Sequence, residues 1–218
     1  MSPSKSAKRP TRASRGGRGA LIALVVGAVV VLAAIIAVVA TRSDNASAGP
    51  QTYPVTVTGT PLPTFPDPPA ADPAVGHKAP TLTGQSLFDG SPLTIAPDGK
   101  PKLVVFVAHW CPHCQRDVPI MVQWMASGQK PADLEVVAVA TGTSSNAPNY
   151  PPSSWLKREN WPTPVLADSS NYDAAKAYGL PGYPFLTLLG PDGTVKARTS
   201  GEFTAVQLQQ FVTTGLAS

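Results

Sequence analysis

The stretch Lys102-Leu103-Val104-Val105-Phe106-Val107-Ala108-His109-Trp110-Cys111-Pro112-His113-Cys114 decides the reading of this chain. Its first seven residues are a continuous, β-rich apolar run. A strand buried on both faces shows that pattern, whereas a half-exposed strand alternates. The residues from Pro112 to Ala126 then predict a helix. Pro112 suits a first helical position because it has no N–H to lose. Cys111 therefore stands at a helix N-terminus, where unpaired N–H groups and the helix dipole favour a thiolate. Cys114 follows one turn later, close enough to form a disulfide with it. The expected roles are an exposed nucleophile at Cys111 and a buried resolving thiol at Cys114. Thiolate attack gives a mixed disulfide, which the second cysteine resolves.

These are the only two cysteines in 218 residues. A disulfide between them closes a very small loop and adds little to stability through chain entropy, so the pair points to chemistry rather than to a scaffold. Metal binding is the competing reading. A four-ligand zinc site needs two further ligands, and only His77, His109 and His113 are on offer, with no second CxxC. A Cu(I) site built from Cys111, Cys114 and His109 or His113 is chemically possible, because soft thiolates select that ion. Met121 and Met125 lie four apart on the same helix, a spacing that suits core packing.

Downstream, Leu134–Thr141 reads as a second buried strand and Gly142–Pro152 as a loop. Ser154–Asn160 reads as a short helix, Pro164–Ala167 as a strand, and Tyr172–Tyr178 as a helix stopped at Gly179. Phe185–Leu189 and Thr194–Thr199 flank Pro191-Asp192-Gly193 as a hairpin, and Thr204 is placed to cap a last helix reaching Gly215. Upstream, Thr81–Leu87 and Leu93–Ile95 are short strands around Asp89-Gly90. Strands alternating with helices, then a terminal hairpin and helix, predict an α/β domain with a mixed central sheet flanked by helices, over residues 74–218.

The remainder of the chain is not domain-like. Residues 1–19 hold six basic and no acidic side chains, while from residue 74 onward there are ten of each sign. The net charge of +4 thus belongs to a tail, and the neutral domain offers no basic face for nucleic acid. Leu21–Ala40 is twenty residues without charge or proline, about 30 Å as a helix and enough to cross one hydrocarbon core. With the basic cluster before it, the expected topology is a cytoplasmic tail (1–19), a single transmembrane anchor (20–40) and everything later outside the cytoplasm. A cleaved leader with Ala46-Ser47-Ala48 at its cleavage site is the alternative. No cysteine follows the apolar run to accept lipid. Residues 41–73 are proline-rich and poor in large apolar residues, and read as an extracytoplasmic spacer.

With these motifs in place, residues 74–212 resemble the thioredoxin-like superfamily, specifically its membrane-tethered TlpA/ResA-type extracytoplasmic branch. The resemblance is carried by Gly76-His77-Lys78-Ala79-Pro80, by Gly99-Lys100-Pro101 leading into the strand and CPHC, and by Gly179, Gly182-Tyr183-Pro184 and Pro191-Asp192-Gly193. It implies a thioredoxin-like fold and a cis peptide at Tyr183–Pro184, with that loop facing the cysteines and Tyr183 presenting backbone groups to a substrate. It also implies a proline inside the active-site helix, here Pro119. Asp117 occupies the position where that branch places an acid, and could exchange a proton with Cys114. Val105 stands where cytoplasmic thioredoxins carry a buried aspartate, so base assistance from that position is absent. Trp110 and Pro112, beside the nucleophile, are expected to contact substrate together with Tyr183.

The implied activity is that of a protein thiol–disulfide oxidoreductase with no cofactor beyond its own redox-active disulfide. Its expected partners are exported proteins and a membrane or extracytoplasmic redox protein that recycles the pair. TlpA/ResA-type proteins generally act as reductants, for instance in cytochrome c maturation. The Pro112-His113 dipeptide instead resembles the strong oxidant DsbA. A cationic His113 would favour the thiolate and hence the reduced form, so the sequence leans oxidising.

Overall fold

The computed structural model describes residues 49–66 and 71–218. The basic tail and the expected anchor lie outside the described residues. Among the described residues no helix is long and apolar enough to cross a membrane. Eight strands form one mixed sheet: β1 (Thr56–Thr58), β2 (Thr81–Ser86), β3 (Pro92–Ile95), β4 (Lys102–Val107), β5 (Glu135–Ala140), β6 (Val165–Ala167), β7 (Phe185–Leu189) and β8 (Val195–Ser200). Among the described residues four helices accompany them: α1 (Pro112–Ala126), α2 (Pro152–Arg158), α3 (Asp173–Ala177) and α4 (Ala205–Ala217). The strand order is β1-β2-β6-β5-β4-β7-β8, with β3 paired to β2. β4 runs parallel to β5 and antiparallel to β7.

The apolar run of β4 is central and every one of its residues is buried. Side chains alternate across a strand, and here the two sides serve two cores. Leu103, Val105 and Val107 join Val118, Met121, Trp124, Leu208 and Val212 under α1 and α4. Val104 and Phe106 join Ala174, Tyr178, Phe185 and Ile95 on the face that carries α3. The end of β4 thus delivers Cys111 and Cys114 to the top of the sheet. Val105, on the α1 side, sits in the same apolar cluster as both cysteines.

Three expectations are corrected. The spacer reading of 41–73 fails for its described part. Thr56–Thr58 pairs with Thr81–Thr83, Leu62 is 5 % exposed, and the amides of Leu62 and Phe65 bond to the carbonyls of Ala177 and Gly179. Proline-rich chain can join a fold without a long strand when its remaining amides meet acceptors on a sheet edge and a helix end. The helix expected at Ser154 begins at Pro152, because proline is well suited to a first turn whose N–H groups lack partners. The helix expected from Tyr172 is only Asp173–Ala177: Tyr172 takes a left-handed conformation (φ 61°), and the Asp168 carboxylate accepts the amides of Ala174 and Ala175 at 2.9 and 3.2 Å. Trp155 and Trp161 are both core residues.

Candidate active site

Cys111 is the N-cap of α1, with extended backbone (φ −74°, ψ 119°), and Pro112 follows in the first turn. Both cysteines are free thiols. Cys114 is wholly buried, and Cys111 is 5 % exposed, less than expected for a nucleophile. The reason is local. Its Sγ lies 3.6 Å from the Tyr183 carbonyl oxygen, and the Trp110 and Tyr183 rings meet edge to face at 5.7 Å. The Trp110 indole N–H donates to the Gly142 carbonyl at 2.7 Å. Gly142 has φ +65°, and a Cβ there would stand 3.1 Å from the Tyr183 hydroxyl oxygen. The Tyr183–Pro184 peptide is cis, as is Tyr150–Pro151. A groove of about 510 Å³ flanks this loop, lined by Phe65, Pro66, Gly182, Tyr183, Thr199 and Gly201. A second one, of about 490 Å³, lies at the other end of β4 and β5, around Lys102 and Glu135.

His109 is a strut and not a free ligand. It is 1 % exposed; its Nδ1 is 2.6 Å from the Pro148 carbonyl, and its Nε2 accepts the Ser144 amide at 3.2 Å. A ring that donates at Nδ1 and accepts at Nε2 is neutral, and burial lowers the His109 pKa in keeping with this. With both nitrogens engaged it ties the loop after β5 to the active-site turn, and it is not available to a Cu(I) site. Among the described residues no group of three or more His, Cys, Asp or Glu side chains could hold a metal ion.

The first turns of α1 carry His113, Arg116 and Asp117, three side chains of different character. His113 and Arg116 are exposed, and Asp117 is 1 % exposed. Glu202, in the loop after β8, contacts both His113 and Arg116. Sequence reading missed Glu202, because it stands 89 residues from His113 and no local pattern marks it. Asp117 turns inward, and its Oδ2 is buried without a hydrogen-bond partner. Burial pushes its carboxyl up to about 6 from 3.8; Glu202 pushes the same way, opposed by the Phe203 backbone and by Arg116 and His113. Burial likewise lifts the Cys114 thiol far above the ordinary range, with Cys111 and Asp117 adding to it.

A raised folded-state pKa means that the folded chain holds this proton more tightly than the unfolded chain. The associated stability is present below about pH 4 and is lost as pH rises through about 6. Asp117→Asn is therefore expected to stabilise the fold by about 2–3 kcal/mol at pH 7 and by almost nothing at pH 4. Urea unfolding midpoints at the two pH values measure this. Equal effects at both would show that Asp117 is ionised with little penalty.

The Redoxin profile matches residues 74–210. The chain belongs to the Redoxin family. Its α/β domain is a thioredoxin-like fold, and solved thiol–disulfide oxidoreductases share it. StoA from Bacillus subtilis superposes with a TM-score of 0.51 at 21 % identity, over 64 % of this chain and 98 % of that one. A secreted Mycobacterium tuberculosis disulfide oxidoreductase homologous to E. coli DsbE gives 0.51 at 22 %, over 61 % and 94 %. A thiol:disulfide interchange protein of the thioredoxin family from Chlorobium tepidum gives 0.52 at 24 %, over 63 % and 94 %. No curated protein sequence matches the chain. In this Redoxin domain the structure brings together Trp110, Cys111, Cys114 and Tyr183, with Pro184 buried behind Tyr183. It sets Asp117 beneath and directs His113 outward onto Glu202.

Proposed function

We propose that this chain is a membrane-anchored extracytoplasmic thiol–disulfide oxidoreductase, exchanging a Cys111–Cys114 disulfide with exported proteins. The observation that carries this reading is the inequality of the two thiols. Cys111, 5 % exposed, caps a helix beside a backbone carbonyl of the cis-proline loop, and Cys114 is wholly sealed below it. In the reducing direction the Cys111 thiolate attacks a substrate disulfide and expels one substrate thiolate. Cys114 then attacks the Cys111 sulfur, expelling the second, and two electrons have passed to the substrate. A thiol as strongly disfavoured from ionising as Cys114 needs a base for that second step. Asp117, three residues on and with its carboxyl pushed up to about 6 by burial, is the group that takes its proton. In the oxidising direction the same steps run backwards and Asp117 returns it. The anchor at 20–40, the extracytoplasmic location and a recycling redox partner belong to the same proposal, supported by the apolar run and the basic tail.

The full chain in detergent, equilibrated in glutathione buffers and read by thiol alkylation and mass, tests it. One intramolecular two-electron couple is expected. A value near −120 mV would make the protein a disulfide donor, and one near −270 mV a tethered reductant. Cysteines that never pair would end the proposal. The lean towards oxidation rests on positive potential from His113, and Glu202 supplies the opposing charge.

A further inference from the structure

The loop Gly201–Thr204 is a strap across the start of α1. Glu202 accepts from Arg116 Nε at 3.0 Å and also meets Arg116 Nη2 and His113 Nδ1. The next residue, Phe203, brings its backbone close enough to Asp117 to lower that carboxyl's pKa. Thr204 closes a reciprocal cap on α4, its Oγ1 accepting the Gln207 amide at 3.2 Å while Gln207 Oε1 accepts the Thr204 amide at 2.8 Å. Both ends of the strap are thus fixed, by β8 and by a capped helix, and Glu202, though exposed, is held against His113 and Arg116.

The proton arrangement follows from the donors. Arg116 Nη2 also lies 3.1 Å from His113 Nδ1. An arginine N–H can only donate, and a carboxylate can only accept. A nitrogen in contact with Glu202 must therefore carry a hydrogen, so His113 donates to Glu202 from Nδ1, and Arg116 serves Glu202 alone. One carboxylate faces both Arg116 and His113 of the Cys111 turn. Its own carboxyl is held down to about 2, first by the Arg116 bond and then by His113.

We propose that Glu202 is the positioning residue that sets the redox poise of the Cys111–Cys114 pair, by cancelling the positive field of Arg116 and engaging the His113 N–H, and so making this Cys-Pro-His-Cys site more reducing than its dipeptide alone dictates. The inference rests on the exchange reading above. A cation near Cys111 stabilises the thiolate and hence the dithiol form; a carboxylate paired with that cation removes much of the advantage. His113 is then a donor to Glu202 and not the source of oxidising strength.

The test is the disulfide-to-dithiol ratio of the full chain at fixed glutathione. Glu202→Gln is expected to lower that ratio about tenfold, equivalent to about 30 mV towards oxidising. Glu202→Asp should stay near wild type, since the charge is kept. Adding Arg116→Gln to Glu202→Gln should undo most of the shift, which a merely loosened loop would not do. A Glu202→Gln ratio within twofold of wild type, or an Asp variant that behaves like the Gln variant, overturns the proposal. A wild-type chain that forms no intramolecular disulfide overturns the exchange reading and this proposal together. A normal wild-type couple with an unmoved Glu202→Gln variant overturns this one alone.

Discussion

Cys111→Ser is expected to abolish disulfide exchange, lowering turnover on a reducible protein substrate by a factor on the order of 10³ or more, as loss of a nucleophile does. Cys114→Ser does something different: it leaves a protein that captures substrate and holds it. The structure explains why the two cannot replace each other. Cys114 is wholly buried and its thiol is pushed far above its ordinary range, chiefly by that burial. It cannot reach or attack an external disulfide when Cys111 is gone. Cys111, beside the Tyr183 carbonyl and the Trp110 ring, can still attack when Cys114 is gone, but the mixed disulfide has no internal thiol to resolve it. Non-reducing electrophoresis with mass spectrometry should show covalent adducts at Cys111 in Cys114→Ser and none in Cys111→Ser. Adducts in the Cys111→Ser chain, or full turnover in either variant, would assign the chemistry elsewhere.

The parts of this site that the sequence reveals are those built from neighbours in the chain. The doubly buried strand shows as an unbroken apolar run because both faces of β4 meet a core, and the cysteines follow it directly into a helix opened by Pro112. Hairpins announce themselves through Asp89-Gly90 and Pro191-Asp192-Gly193, where glycine supplies the positive φ. The illegible parts are all long-range. Thr56–Thr58 is too short for any period to register, and only its pairing with β2 makes it a strand. Glu202 is one acid among thirteen in the chain until the strap lays it on His113 and Arg116. His109 reads as a spare ligand beside a CxxC, and its neutral, doubly bonded state depends on Ser144 and Pro148, more than thirty residues away.

The same logic isolates the residue whose loss should most damage the fold. Arg198, on β8, has a side chain with 0 % exposure, and Asp72, 126 residues away, is its counter-charge. Its Nε and Nη2 donate to the two Asp72 carboxylate oxygens at 2.9 and 2.5 Å, and Nη1 donates to the carbonyls of Pro63 and Tyr178, each at 2.9 Å. Phe65 and Phe185 lie against the guanidinium, with centroids at 5.5 and 5.8 Å. One planar cation thus satisfies a carboxylate and two carbonyls while holding the 62–66 segment against α3 and the sheet. Arg198→Met fills similar volume but leaves a largely buried carboxylate and two acceptors unpaired. It is expected to lose about 3–5 kcal/mol, the usual cost of breaking a buried pair from one side, out of a total of about 5–15 for a domain. Arg198→Met with Asp72→Leu should recover part of that loss, because the orphaned charge goes with its partner. Gly179→Ala attacks the same knot sterically: at φ +67° its Cβ would fall 2.3 Å from the Pro63 carbonyl oxygen, so backbone must move. Urea midpoints measure all three, and limited proteolysis should show cleavage within 51–66 in Arg198→Met before the rest of the domain is cut. A midpoint unchanged in Arg198→Met would mean that the Arg198 cluster contributes nothing to the stability of the domain.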